Sequence, residues 1–190
     1  MLRTIVKKFS IVAFIIFFSM TSFIPAAQAY SYNGEVVLNQ IRFIPHVNFG
    51  QTSIAHFNEA IYQWNSNAGW ALMSRDPISR HSQSIYPSQD DMNGIYKMYA
   101  GPDYLASTQR WVMGNHTVEA DININPYYPY HNKGASGYFD TWTVFIHEAG
   151  HVAGMSHSNY QDAVMYPTVA EGVEKRYLHW DDVAGISALY

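Results

Sequence analysis

The sequence predicts an α+β domain, with strands first and the helix that carries its chemistry late. Three observations carry that expectation. Thr117–Asn125 alternates apolar and polar residues in strict period two, the signature of a strand. Ile54, Phe57, Ile61 and Trp64 recur at steps of three and four, the signature of one apolar helix face. A second helical segment begins near Asp140 or Thr141, after the strands rather than between them.

In chain order, the first 29 residues read as a secretory signal peptide. Arg3, Lys7 and Lys8 form a basic start, Ile11–Phe18 an apolar run, and Ala27-Gln28-Ala29 a small-x-small cleavage site. An uncleaved anchor is the alternative; the cleavage site favours removal before Tyr30. Residues 30–190 are then expected to form one domain. Glu35–Pro45 reads as an opening strand, followed by a helix over Thr52–Asn65 with Thr52 or Ser53 as its N-cap. His56 on that helix is expected to be solvated or capping rather than a ligand. Trp70–Met73 suggests a short strand and Arg75–Met92 a surface loop. Asn93–Ala100 alternates again, and Tyr104–Trp111 is expected to continue it or pair with it around Gly101-Pro102. Asn125–Gly137, rich in Tyr, Pro and Gly, reads as an aromatic loop or bent edge strand. A last helix over Trp180–Leu189 has Asp181 and Asp182 in its first turn, where they suit the helix dipole.

Composition narrows the partners. Without Arg3, Lys7 and Lys8, 8 of the 11 basic residues remain against 15 acidic ones, a net charge of −7. No basic cluster is present, so neither nucleic acid nor an anionic membrane is an expected partner, and no stable membrane insertion is expected after signal removal. The chain is expected to be a monomeric protein exported by a bacterium. Cysteine is absent, so stability must come from packing and from metal rather than disulfides.

The chemistry concentrates in His147-Glu148-Ala149-Gly150-His151-Val152-Ala153-Gly154-Met155-Ser156-His157. On a helix, His147 and His151 lie on one face a turn apart and can hold one ion. At about 1.5 Å rise per residue, His157 would sit roughly 9 Å beyond His151 on a straight helix, too far for a Zn–N bond of about 2.0–2.1 Å. The helix must stop, and Gly154 stands where a left-handed backbone would turn the chain back. Three imidazoles leave a fourth zinc position open, as in a catalytic site, and Glu148 is placed to take a proton from water there.

This extended motif, with Met165 eight residues after His157, resembles the metzincin metalloproteases, and within them the matrixins. Asp162-Ala163-Val164-Met165-Tyr166-Pro167 is similar to the matrixin Met-turn, and Asp181–Tyr190 to the family's final helix. Phe57–Trp64 and Ala120–Ile124 are similar to its first helix and a central strand. The resemblance implies a metzincin-like twisted sheet of parallel and antiparallel strands with three helices. The zinc would lie at the floor of a cleft, with Met165 beneath it as a hydrophobic base.

The chain also departs from the family. Only 18 residues separate Asp121 from Asp140, and His116 and His131 are the nearby histidines, so the family's second, structural zinc is not expected. Calcium ligation by Asp121 or Asp140 stays open, with no complete pattern behind it. Pro167-Thr168-Val169 replaces the family's Pro-x-Tyr, so the shape of the specificity pocket does not carry over. With no cysteine and no room for a propeptide, cysteine-switch latency is not expected.

The expectation is therefore a secreted endopeptidase with one catalytic zinc on His147, His151 and His157, acting on protein or peptide substrates. Glu148 would serve as general base, and activity would fail in acid as the histidines protonate. Two alternatives remain: a non-catalytic metal-stabilised module binding through the Tyr-rich loop, and a zinc amidase acting on cell-wall peptides.

Overall fold

The computed structural model describes residues 31–32, 34–83 and 87–190. The segment expected to be a signal peptide, 1–29, lies outside them. No described helix is long and apolar enough to cross a membrane.

The strands are β1 (Val36–Val37), β2 (Ile41–Pro45), β3 (Met73–Arg75), β4 (Asn93–Tyr96), β5 (Ala106–Met113) and β6 (His116–Ile124), followed by the short β7 (Tyr130–His131) and β8 (Phe139–Asp140). The helices are α1 (Gln51–Ala68), α2 (Thr141–Val152) and α3 (Trp180–Leu189). The main sheet runs β1-β6-β4-β2-β3, all parallel, with β5 antiparallel on β6. β7 and β8 make a separate parallel pair. Among the described residues this is the mixed sheet with three helices that the resemblance implies, most of its pairings being parallel.

The opening segment divides where the sequence suggested one strand. Val36 pairs with His116 on β6, whereas Ile41 pairs with Met73 and Phe43 with Asn93, so the two halves of the segment serve different neighbours. The strand expected at Trp70–Met73 lies later, at Met73–Arg75, because α1 runs on to Ala68 and Gly69 ends it in a left-handed conformation. The N-cap of α1 is Gly50 rather than Thr52 or Ser53, and it provides no side-chain cap. β5 does not pair with β4. A two-residue turn at Gly114-Asn115, with Gly114 at φ 66°, folds it back on β6, joining Met113 to His116.

The core lies between the sheet and the packed pair α1 and α2. Phe57 meets Phe43 and Phe145 edge-on, each with ring centroids 5.4 Å apart. The Trp64 indole donates to the Ile146 carbonyl at 2.8 Å, tying α1 to α2.

β6 shows why strict alternation can mislead about exposure. Ala120, Ile122 and Ile124 enter the core, while Glu119, Asp121, Asn123 and Asn125 point the other way and are buried as well. Their oxygens accept main-chain N–H groups of the segment that crosses that face. Glu119 takes Asp90 and Asp91 at 3.0 and 2.9 Å, and Asp121 takes Gly94 at 2.6 Å. Asn123 takes Met98 at 2.9 Å and Asn125 takes Ala100 at 3.2 Å. Asn125 also donates to the Gly101 and Tyr104 carbonyls at 2.6 and 2.7 Å.

Candidate metal centre

Helix α2 starts at the position the sequence indicated. Asp140 caps it, accepting from the Thr143 N–H and hydroxyl, each at 2.8 Å. Arg176 pairs with the same carboxylate at 2.5 Å, which together with the cap holds the Asp140 pKa below its ordinary value against the effect of burial. Of the residues considered for calcium, Asp140 is thus engaged by Thr143 and Arg176, and Asp121 by Gly94.

His147 and His151 lie one turn apart on α2, and His157 joins them from the chain that follows. Ring centroids are 4.8 Å apart for His147–His151, 5.3 Å for His147–His157 and 4.9 Å for His151–His157. One nitrogen from each ring lies within 4.8 Å of the others, and among the described residues this is the only such cluster that could hold a metal. The His147 Nδ1–H donates to the Val164 carbonyl at 2.7 Å, and the His151 Nδ1–H to the Met155 carbonyl at 2.9 Å. With Nδ1 carrying the proton, Nε2 of each ring keeps its lone pair for an ion. Two imidazoles so oriented, with a nitrogen of His157 within 4.8 Å of theirs, fit zinc. Burial drives the pKa of His147 and of His151 down to about 4, so these two imidazoles stay neutral into mild acid, and burial lowers that of His157 too.

The reversal between His151 and His157 depends on Gly154, which has φ 92°. A side chain there would also lie 2.2 Å from the Glu35 carbonyl oxygen. Met165 is fully buried against α2, and Gly150 is what admits it. A Cβ at Gly150 would sit 2.3 Å from the Met165 sulfur and 2.7 Å from Trp64. The two acids of α3's first turn are buried, and they fix this loop rather than simply facing the helix dipole. Asp182 accepts from the N–H groups of Val164, Met165 and His179 at 2.8, 3.1 and 2.9 Å. Asp181 accepts from the Ser158 hydroxyl at 2.6 Å.

Glu148 is buried beside these rings at the floor of a cleft of about 530 Å³. Burial raises its pKa, while His151 and a hydrogen bond from Thr108 work against that rise. The Thr108 hydroxyl on β5 lies 2.6 Å from Glu148 Oε2 and 3.1 Å from the Glu148 carbonyl oxygen. β5 forms one wall of the cleft, and Tyr166, Pro167, Thr168 and Val169 form another. Lys175 closes part of that second wall, donating to the Ala163 carbonyl at 3.1 Å and to the Gln161 carbonyl, with its ammonium 5.0 Å from the Tyr166 ring centre.

The structure thus brings His147, Glu148, His151 and His157 into one cleft, with Gly154 and Met165 against the same helix end. His56 is outside it. Its half-buried ring stacks on Trp142 with centroids 5.3 Å apart, which replaces the solvated or capping role expected for it. Thr108, Gly150 and Lys175 carry no role in the sequence reading, and Asp182 only a helix-dipole one, since a lone Thr on an alternating strand or a Gly within a helix carries no signal until its neighbours are known.

Comparison with known proteins agrees with this geometry. Residues 103–190 match the model of the matrixin family. A 51-residue stretch is 47% identical to Metalloendoproteinase 4-MMP of Arabidopsis thaliana, covering 27% of this chain and 15% of that protein. Another match is Matrix metalloproteinase-19 of Homo sapiens, 56% identical over 48 residues, 25% of this chain and 9% of that protein. Metalloendoproteinase 1 of Glycine max is 42% identical over 52 residues, 27% of this chain and 17% of that protein. The chain therefore spans less than a fifth of the length of each of these relatives. With the helix, the loop and the final acidic turn arranged as described, residues 103–190 are similar to the matrixin family of metzincins in sequence and in the arrangement of the site.

Proposed function

We propose that the chain is an exported zinc endopeptidase that hydrolyses peptide bonds of protein or peptide substrates, with His147, His151 and His157 holding the metal. The observation that carries this reading is the convergence of three ring nitrogens within 4.8 Å, beside a buried carboxylate on the floor of an open cleft. Zinc bound there supplies a Lewis acid that polarises a carbonyl and acidifies water. Val164 and Met155 hold two of the imidazoles by their Nδ1 protons, so the ligand nitrogens need no reorganisation. Glu148 accepts the proton of the attacking water at a carboxylate oxygen and returns a proton to the leaving amine. Burial, by raising its pKa, suits it to both halves of that exchange. The wall formed by β5 offers an extended chain the edge of a sheet to lie against.

The test is cleavage of casein and of a mixed peptide library by the domain beginning at Tyr30, with and without a zinc chelator. Glu148→Gln is expected to keep stoichiometric zinc and lose at least about a thousandfold in rate, as removal of an essential proton-transfer group does. Undiminished cleavage by that variant would sink the assignment. Zinc binding with no peptide cleavage by the parent chain would favour the non-catalytic module. Export through the first 29 residues belongs to the same proposal, and a secreted product starting at Tyr30 is the expected finding.

A further inference from the structure

We infer that Thr108 is the positioning residue for the Glu148 carboxylate, an inference that rests on the reading of Glu148 as the base. Thr108 sits within β5, where its backbone is fixed opposite Ile122 of β6. Its hydroxyl is 2.6 Å from Glu148 Oε2 and 3.1 Å from the Glu148 carbonyl oxygen. A hydroxyl has one proton to give, and the shorter contact goes to the charged acceptor, within the range of a charge-assisted O–H···O bond. No hydrogen bond to the other carboxylate oxygen, Oε1, is found among the described residues.

The arrangement therefore divides the work of the two oxygens. Oε2 is held from the strand side by a donor on a rigid ladder, and Oε1 is left to accept a proton from water. Threonine suits the post because its β-branched side chain has few χ1 choices, so the donor points in one direction. The glutamate has three rotatable bonds before its carboxylate, and a single strong bond at one oxygen removes much of that freedom. Holding a reacting group within a fraction of an ångström is worth large factors in rate and little in substrate affinity. The same hydroxyl also lies 3.1 Å from a backbone oxygen of α2, so a purely architectural role must be separated from a positioning one.

Four proteins do this: Thr108→Val, Thr108→Ser, Glu148→Gln and the double variant Thr108→Val with Glu148→Gln. Kinetics use one internally quenched peptide that the parent enzyme cleaves, with the slow variants followed at high enzyme concentration over hours. Thr108→Val is expected to lower kcat about 10- to 100-fold with KM within about twofold, as loss of a hydrogen bond to a charged group does. Thr108→Ser should recover most of that loss. In the Glu148→Gln background, the valine should change the residual rate by less than about twofold, because residues acting through one another are not additive. Zinc content should stay stoichiometric throughout. The infrared carboxylate band assigned by difference against Glu148→Gln should shift in Thr108→Val, a readout independent of turnover.

An unchanged kcat, or an unmoved carboxylate band, overturns the inference. An equal loss from the valine with and without Glu148 also overturns it, showing that Thr108 only braces the strand against the helix. If valine disturbs folding, seen as a lowered unfolding midpoint, the Thr108→Ala and Thr108→Ser pair gives the same reading. Full activity of Glu148→Gln would instead fault the proposed function, a result distinguishable from any of these.

Discussion

Asp182 and His147 grip the same residue from opposite sides. The Asp182 carboxylate accepts the Val164 N–H at 2.8 Å, and the His147 Nδ1–H donates to the Val164 carbonyl at 2.7 Å. One peptide segment thus connects the start of the last helix to a ring of the metal centre, 35 residues earlier in the chain. Outer partners of this kind tune ligand orientation and ligand strength.

Replacing Asp182 by Ala should therefore affect two measurements together. Three main-chain donors lose their acceptor, which is expected to cost about 2–4 kcal/mol in chemical denaturation. Zinc affinity, read by chelator competition, should fall about 10- to 100-fold because His147 loses its fixed partner. A variant as stable and as tightly metallated as the parent would disprove the link.

Asp121 gives a prediction about pH. Burial, with the charges of Asp90 and Glu119 adding to it, raises its pKa from 3.8 to about 7, although the Gly94 N–H pulls the other way. The folded chain holds this proton more tightly than the unfolded chain. Its contribution to stability is complete below pH 3.8 and is lost as pH rises through 7. Asp121→Asn keeps an acceptor for Gly94 and removes the titration. Relative to the parent, the variant should gain stability between pH 5 and 8, by a few kcal/mol at about 1.4 kcal/mol per pKa unit. Parallel stability curves for the two proteins over that range would contradict it.

Gly154→Ala is expected to be among the most damaging single-methyl changes in the chain. The residue combines φ 92° with a backbone oxygen of Glu35 at 2.2 Å from the new carbon, and a backbone atom cannot swing aside. A left-handed conformation alone costs about 1–2 kcal/mol, and the clash adds to it. Calorimetry should show a lower melting temperature, and dialysis a weaker hold on zinc as His157 is displaced. An alanine variant that melts with the parent would mean that the turn is not constrained as described.

The parts of the molecule that were readable from sequence are those whose signal is local. The start of α2 near Asp140, the spacing of His147 and His151, the turn at Gly154 and the limits of the last helix each follow from a few neighbouring residues. What could not be read depends on partners far along the chain. The alternation in Thr117–Asn125 marks two faces but not the loop that covers the second one, so nothing local shows that Asp121 and Asn123 are buried and bonded to main-chain groups. Pairing of β5 with β6 rather than β4 turned on a two-residue turn at Gly114-Asn115 that the alternation did not mark. Asp181 and Asp182 satisfy a helix-dipole role from local sequence alone, while their second role depends on Ser158 and Val164, far back in the chain. Thr108 matters because of a glutamate 40 positions away.

The row of four polar side chains on the back of β6 has a consequence for how this cleft can change. Every bond it makes to residues 90–104 lands on amide or carbonyl groups that any amino acid supplies, proline's missing N–H apart. The grip is blind to which side chains that stretch carries. Asp103 and Tyr104, at the lip of the cleft, sit at its end. Exchanging them offers a way to reshape the mouth of the cleft, and under the proposed function its choice of polypeptide, while the foundation beneath stays put.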